Sequence, residues 1–197
     1  MALHRSFNLR MLSLYFHMEI SWRNRCILWL YILFSKNRDQ QPLVRITEGG
    51  GGASRILFLL PSEKEHAPIA AHFVKRDMAQ ETRQIHYVVH ENGAPYYSEQ
   101  IRSHLITYCD KDVYWFGAIK KSSNLNKIKS MEYDAMVDLN QTINVTQILL
   151  SLELTIPIKV GFQSPMSEKL YSLVIQRSKS GFLENDYQII ERILGLS

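Results

Sequence analysis

Arg55-Ile-Leu-Phe-Leu-Leu-Pro61 holds five apolar residues in a row and stops at a proline. A strand covered on both faces reads this way, because neither side meets water. A polar stretch, Ser62-Glu-Lys-Glu-His-Ala67, follows as a loop or first turn. Pro68 suits the first helical position, since its missing N–H has no intrahelical partner there. Ile69, Phe73 and Val74 give that helix an apolar stripe.

The alternation continues outward to the C-terminus. Gln84-Ile-His-Tyr-Val-Val-His90 reads as a second strand, and Glu91-Asn-Gly-Ala-Pro95 is turn chemistry. A short helix is predicted over 98–105 and a third strand over 106–109. Asp112-Val-Tyr-Trp-Phe-Gly117 is an aromatic segment, followed by a polar helix over 123–131. Asp134-Ala-Met-Val-Asp138-Leu139 is the fourth strand. A helix over 142–152 repeats apolar residues at Ile143, Ile148, Leu149 and Leu152. Pro157-Ile-Lys-Val-Gly-Phe162 is the fifth strand, and 170–175 offers a sixth. A closing helix over 184–194 aligns Tyr187, Ile190 and Leu194. Strands alternating with helices at this spacing define an α/β fold, a single Rossmann-like domain over 55–197 with a mainly parallel sheet. Right-handed crossovers then place helices on both faces.

Upstream, Gly49-Gly-Gly-Gly52-Ala-Ser reads as a flexible linker over 49–54. Phosphate-cradling glycines would follow the first strand, whereas these precede it. Residues 1–48 form a basic, aromatic-rich segment. Cys26-Ile-Leu-Trp-Leu-Tyr-Ile-Leu-Phe34 is an apolar run of nine, short of the roughly 20 a spanning helix needs. It starts late for a signal peptide, and the polar 35–41 offers no small-residue cleavage site. Residues 9–34 lack proline and glycine, so a helix or a helical pair is expected. Phe16, Trp22, Trp29, Tyr31 and Phe34 interleave with Arg10, Arg23 and Arg25. Two readings stand: contact with an anionic membrane surface, or packing on the domain or on a partner subunit.

Charge divides unevenly along the 197 residues. The net charge is +4, yet residues 1–45 hold seven basic and two acidic side chains. The other 152 hold sixteen basic and seventeen acidic ones. A nucleic-acid-binding domain carries its own basic face, so net charge argues against a nucleic-acid partner and leaves only a local patch open. The two cysteines, Cys26 and Cys109, form no CxxC or Cys/His cluster, which argues against a disulfide framework or a zinc site. A reducing, cytoplasmic compartment fits.

Open parallel sheets bind ligands beyond the carboxyl ends of their strands. That rule selects Glu63, Glu65 and His66 after the first strand, and His90, Glu91 and Asn92 after the second. Asp110, Lys111 and Asp112 follow the third, Asp138 and Asn140 the fourth, and Gln163 the fifth. Glu65 and His66 are the candidate general bases, since each has only to reach a substrate hydroxyl. Glu63, His90, Asp138, Asn140 and Gln163 are the candidate ligand-binding residues. Polar residues collect at strand ends in any α/β fold, so each also has an ordinary reading as a loop residue or helix cap. G-x-G-x-x-G, G-x-x-x-x-G-K-[ST], G-x-S-x-G and H-E-x-x-H are all missing. No metal and no cofactor is expected. Asn140-Gln-Thr142 and Asn144-Val-Thr146 match the glycosylation pattern but read as a polar turn and a helix start.

Tyr133-Asp-Ala-Met-Val-Asp138-Leu139, a helix, and then Ile158-Lys-Val-Gly161-Phe162 resembles a motif pair in the N-terminal half of family 9 glycosyltransferases, the ADP-heptose–lipopolysaccharide heptosyltransferases. The resemblance covers about residues 55–163. It implies one half of a two-domain Rossmann-like architecture, at the cytoplasmic side of a membrane. The family's Gly-Asp after the first strand, whose aspartate is its proposed base, is replaced here by Ser62-Glu-Lys-Glu-His-Ala-Pro68. The donor-binding half is not found before Ser197. The resemblance therefore implies a domain that is non-catalytic or dependent on a protein partner or homo-oligomer. Two alternatives remain: an active cell-envelope glycosyltransferase with Glu65 or His66 as base, or a protein–protein module using Trp115, Phe116 and the N-terminal aromatics.

Overall fold

The computed structural model describes residues 53–75, 81–177 and 182–196, together with Trp22 and residues 26–28. Six strands form one sheet: β1 (Arg55–Leu59), β2 (Gln84–His90), β3 (Leu105–Tyr108), β4 (Ala135–Asp138), β5 (Ile158–Phe162) and β6 (Leu173–Ile175). Their order is β3-β2-β1-β4-β5-β6, and every pairing is parallel. This is the doubly wound, Rossmann-like arrangement, with the strand order reversing between β1 and β4.

The apolar run that opened the sequence reading is the middle of this sheet. Ile56, Phe58 and Leu60 enter one core cluster, while Leu57 and Leu59 enter the other. Helices α1 (Ala67–Phe73) and α5 (Leu183–Leu194) cover the first face through Ala70, Tyr187 and Ile190. Helices α2 (Asn126–Lys129), α3 (Val145–Glu153) and α4 (Ser167–Leu170) supply Ile128, Leu149 and Leu170 to the second. Phe58 stacks on Tyr87 at 5.5 Å between ring centres. Each such fully buried side chain contributes about 1.5–3 kcal/mol relative to exposure.

Local signals explain most boundaries. Pro68 lies in the first turn of α1. Asn144 caps α3 by accepting from Gln147 N at 3.1 Å, so this sequon is a helix start. Gly195 ends α5 with φ 65°, a left-handed conformation that glycine adopts without steric penalty.

Three expectations change. The helix expected over 98–105 is a 3-10 helix, Glu99–His104. The polar helix over 123–131 shrinks to the single turn of α2, because the serines and asparagines around it bond to turns instead: Ser123 Oγ accepts from Leu125 N, and Asn126 donates to Lys120 O. Leu170, expected in the sixth strand, closes α4, where Tyr171 N donates to Ser167 O at 2.9 Å. The sixth strand is only Leu173–Ile175.

Most of the segment 1–48 and the glycines 49–52 lie outside the described residues, so most of the expected helix over 9–34 and most of the linker do too; Trp22 and residues 26–28, within that span, are helical. Leu28 is fully buried in the second core cluster, while Trp22 and Cys26 are exposed. Ala53 is buried, and Ser54 N and Arg55 N both donate to Asp134 Oδ2, at 3.0 and 2.8 Å. Among the described residues no helix is long and apolar enough to cross a membrane.

Candidate functional site

The chain leaves β1 toward α1 on one face and β4 toward α3 on the other, which opens a crevice between the two loops. Side chains bridge it. Glu63 Oε1 accepts from Thr142 Oγ1 at 2.9 Å. Gln147, from the first turn of α3, donates to Leu60 O at 3.1 Å and accepts from the Asn140 amide. Tyr97 donates to Pro61 O at 2.7 Å. Behind the β1 loop, Gly93 sits so close that a Cβ there would lie 2.6 Å from Ser62 Cα.

Asp138 ends β4 and is 4% exposed. It accepts from Tyr171 Oη at 2.6 Å, Asn140 Nδ2 at 2.6 Å and Asn140 N at 2.9 Å. Burial pushes its carboxyl pKa up; the Tyr171 and Asn140 bonds pull the other way, and the charge on Glu63 adds to the rise. Burial next to that acid also raises the Tyr171 hydroxyl. The pair is joined by a buried hydrogen bond from the Tyr171 hydroxyl to the Asp138 carboxyl.

A cavity of about 470 Å³ opens beyond β4, β5 and β6. Ile148, Phe162 and Met166 line it, while Asn140, Gln163 and Arg177 supply polar groups. Asn140 Oδ1 is buried and has no hydrogen-bond partner in the protein, and a buried carbonyl oxygen of this kind calls for a donor. Arg177, bonded to Gln141 Oε1, is the cation among the described lining residues.

Of the candidates read from the sequence, Asp138, Asn140 and Gln163 come together around this cavity, and Glu63 adjoins it through Thr142. The others are elsewhere. Glu65 is exposed in the turn before α1. His66 stands at the N-cap of α1 without a capping bond, its Nδ1 buried and unpartnered. His90 pairs with Asp110 across 3.4 Å, and its Nδ1 accepts from Asn92 N. None of these three lines the cavity. Sequence reasoning missed Tyr171, Gln147, Thr142 and Arg177. Gly161 carried a partial signal, since a lone glycine in a strand marks a close approach: a Cβ there would lie 2.4 Å from the Tyr171 ring. Nothing in the sequence named the approaching group.

The motif pair 133–139 and 158–162 divides in two. Tyr133 donates to or accepts from His86 Nδ1 at 3.0 Å and Asp134 anchors Ser54 and Arg55, both at the entry ends of strands. Asp138 and Gly161 belong to the cavity end. Among the described residues no cluster of three or more His, Cys, Asp or Glu is placed to hold a metal ion.

Fold and crevice together define a doubly wound α/β domain with a ligand-sized cavity at the carboxyl end of its sheet. Residues 54–191 match DUF6913, a family of unknown function, and the chain belongs to that family. No curated protein and no solved structure shows a significant match.

Proposed function

We propose that this is a glycosyltransferase-related binding domain that holds a hydroxyl-rich small molecule, such as a sugar ring, in the cavity beyond β4–β6. The observation that carries it is the cavity itself, of about 470 Å³, whose wall sets the polar Asn140 and Gln163 beside the apolar Phe162 and Met166. A sugar offers hydroxyl donors along its edge and an apolar ring face. Those suit Asn140 and Gln163 on one side and Phe162 and Met166 on the other. A nucleoside diphosphate fits less well, because two phosphates need several cations or a row of free amides, and Arg177 stands alone there among the described residues. Any transfer reaction then depends on a partner that brings the activated donor. The domain works at the cytoplasmic side of a membrane, with residues 9–34 as its contact.

Calorimetric titration with neutral hexoses and heptoses and with ADP tests this. Sugar binding that is weakened about tenfold or more by Gln163→Ala, a loss of about 1.4 kcal/mol, is the expected result. Unaided sugar transfer from a nucleotide-sugar by the purified chain rules the reading out.

A further inference from the structure

Residues 112–120 fold back on themselves beside the second core cluster. Lys120 N donates to Asp112 O at 2.9 Å, Tyr114 N to Ala118 O at 2.8 Å and Gly117 N to Tyr114 O at 2.8 Å. Val113 and Ile119 form an antiparallel bridge. Gly117, at φ 91°, makes the turn possible. Ala118 and Ile119 root the hairpin in the cluster that also holds Leu28.

The tip faces outward. Trp115 is 72% exposed and Tyr114 46%. Phe116, half-buried, stacks on Tyr114 at 5.5 Å and meets Trp115 edge-on at 5.3 Å. Lys120 Nζ lies 5.8 Å from the Tyr114 ring centre. Lys111, Lys121 and Lys127, in the flanking sequence, are exposed. Residues 110–129 carry five lysines against Asp110 and Asp112, with Lys129 paired to Glu153, and the rest of 46–197 holds eleven basic and fifteen acidic side chains. The sequence flanking the aromatic tip is therefore net basic, while the rest of 46–197 is net acidic, and Lys120 stands against the tip itself. Leu28 packs into the same cluster.

We infer that the 112–120 hairpin is a second membrane contact, inserting Trp115 and Tyr114 at the headgroup level of an anionic bilayer while the surrounding lysines meet its charge. Tryptophan and tyrosine favour that depth because one end of each ring system is apolar and the other polar. Each nearby lysine adds attraction to anionic lipid. A single strand of nucleic acid fits less well: it needs successive open ring faces along a groove, and here Tyr114 and Phe116 already cover one face of each other at a convex tip. The inference builds on the proposed membrane location but uses a separate surface.

Flotation of the full-length chain with phosphatidylcholine vesicles, with and without phosphatidylglycerol, tests it. The parent chain is expected to bind only the anionic vesicles. Trp115→Ser, and separately Lys111→Glu with Lys121→Glu, should each weaken binding by about tenfold or more while leaving the melting curve unchanged, since these side chains are exposed. Parent-like binding by both variants overturns the hairpin contact and leaves residues 9–34 as the anchor. A parent that ignores both vesicles overturns both membrane readings. Equal binding to neutral vesicles, or Trp115-dependent binding to a single-stranded oligonucleotide in place of vesicles, also overturns the inference.

Discussion

At position 161 a side chain has no room, because the Tyr171 ring lies over the strand where a Cβ would project. That ring in turn delivers its hydroxyl to Asp138 at 2.6 Å. Glycine here is thus a condition for the buried hydrogen-bond network at the cavity wall. Gly161→Ala is expected to cost about 1–3 kcal/mol, the usual range for forcing extra volume into a packed site. Urea unfolding of the two proteins measures it. The Tyr171→Phe variant separates the causes: it keeps the ring and loses only the bond to Asp138, so its cost should be the smaller unless the network dominates.

The helix α3 is held at both ends by groups from elsewhere in the sequence or beside it. Asn144 caps its start. At its end, Lys159 of β5 donates to Leu154 O at 2.7 Å and to Ser151 O. Burial lowers the pKa of this ammonium to about 8. Between about pH 8 and the ordinary lysine value near 10.5, the unfolded chain binds more protons at this site than the folded one. Its contribution to stability therefore rises with pH through that window and is lost as pH falls toward 8. Lys159→Met should cost about 1–2 kcal/mol at neutral pH through the unmade bonds to the helix end. The gap between parent and variant should widen from pH 8 to pH 9.5, as read from urea unfolding at each pH. A constant gap would mean that Lys159 is protonated alike in both states.

Over the whole molecule, the two faces of the sheet are closed differently. One is covered by α1 and by α5, which starts within the matched family region and runs three residues past it. The other recruits Leu28 from the N-terminal segment, outside that region. Leu28→Ala should therefore destabilise the full chain by about 2–4 kcal/mol, the cost of removing a buried leucine. Denaturant midpoints of parent and variant decide this, and an unchanged midpoint would mean that the segment contributes no core packing.

By itself the sequence determined the alternation of strands and helices, and hence a mainly parallel α/β sheet with helices on both faces. Continuous apolar runs and capping residues are local signals, and they carried β1, β2, β4, β5 and α5 to within a residue or two of their observed ends. It also located Asp138, Asn140 and Gln163, because strand ends are where a parallel sheet exposes polar groups. Strand order, the cavity and its unpaired Asn140 oxygen were decided by tertiary structure. So were the partners of Asp138, since Tyr171 lies 33 positions away and reaches it only because Gly161 leaves space. The aromatic hairpin was visible as a composition, yet only folding showed Trp115 outside and Ile119 inside. The physical reason is the same in each case: propensity and periodicity act over one turn or one strand, whereas a site is made by contacts between segments whose separation along the chain carries no record of their meeting.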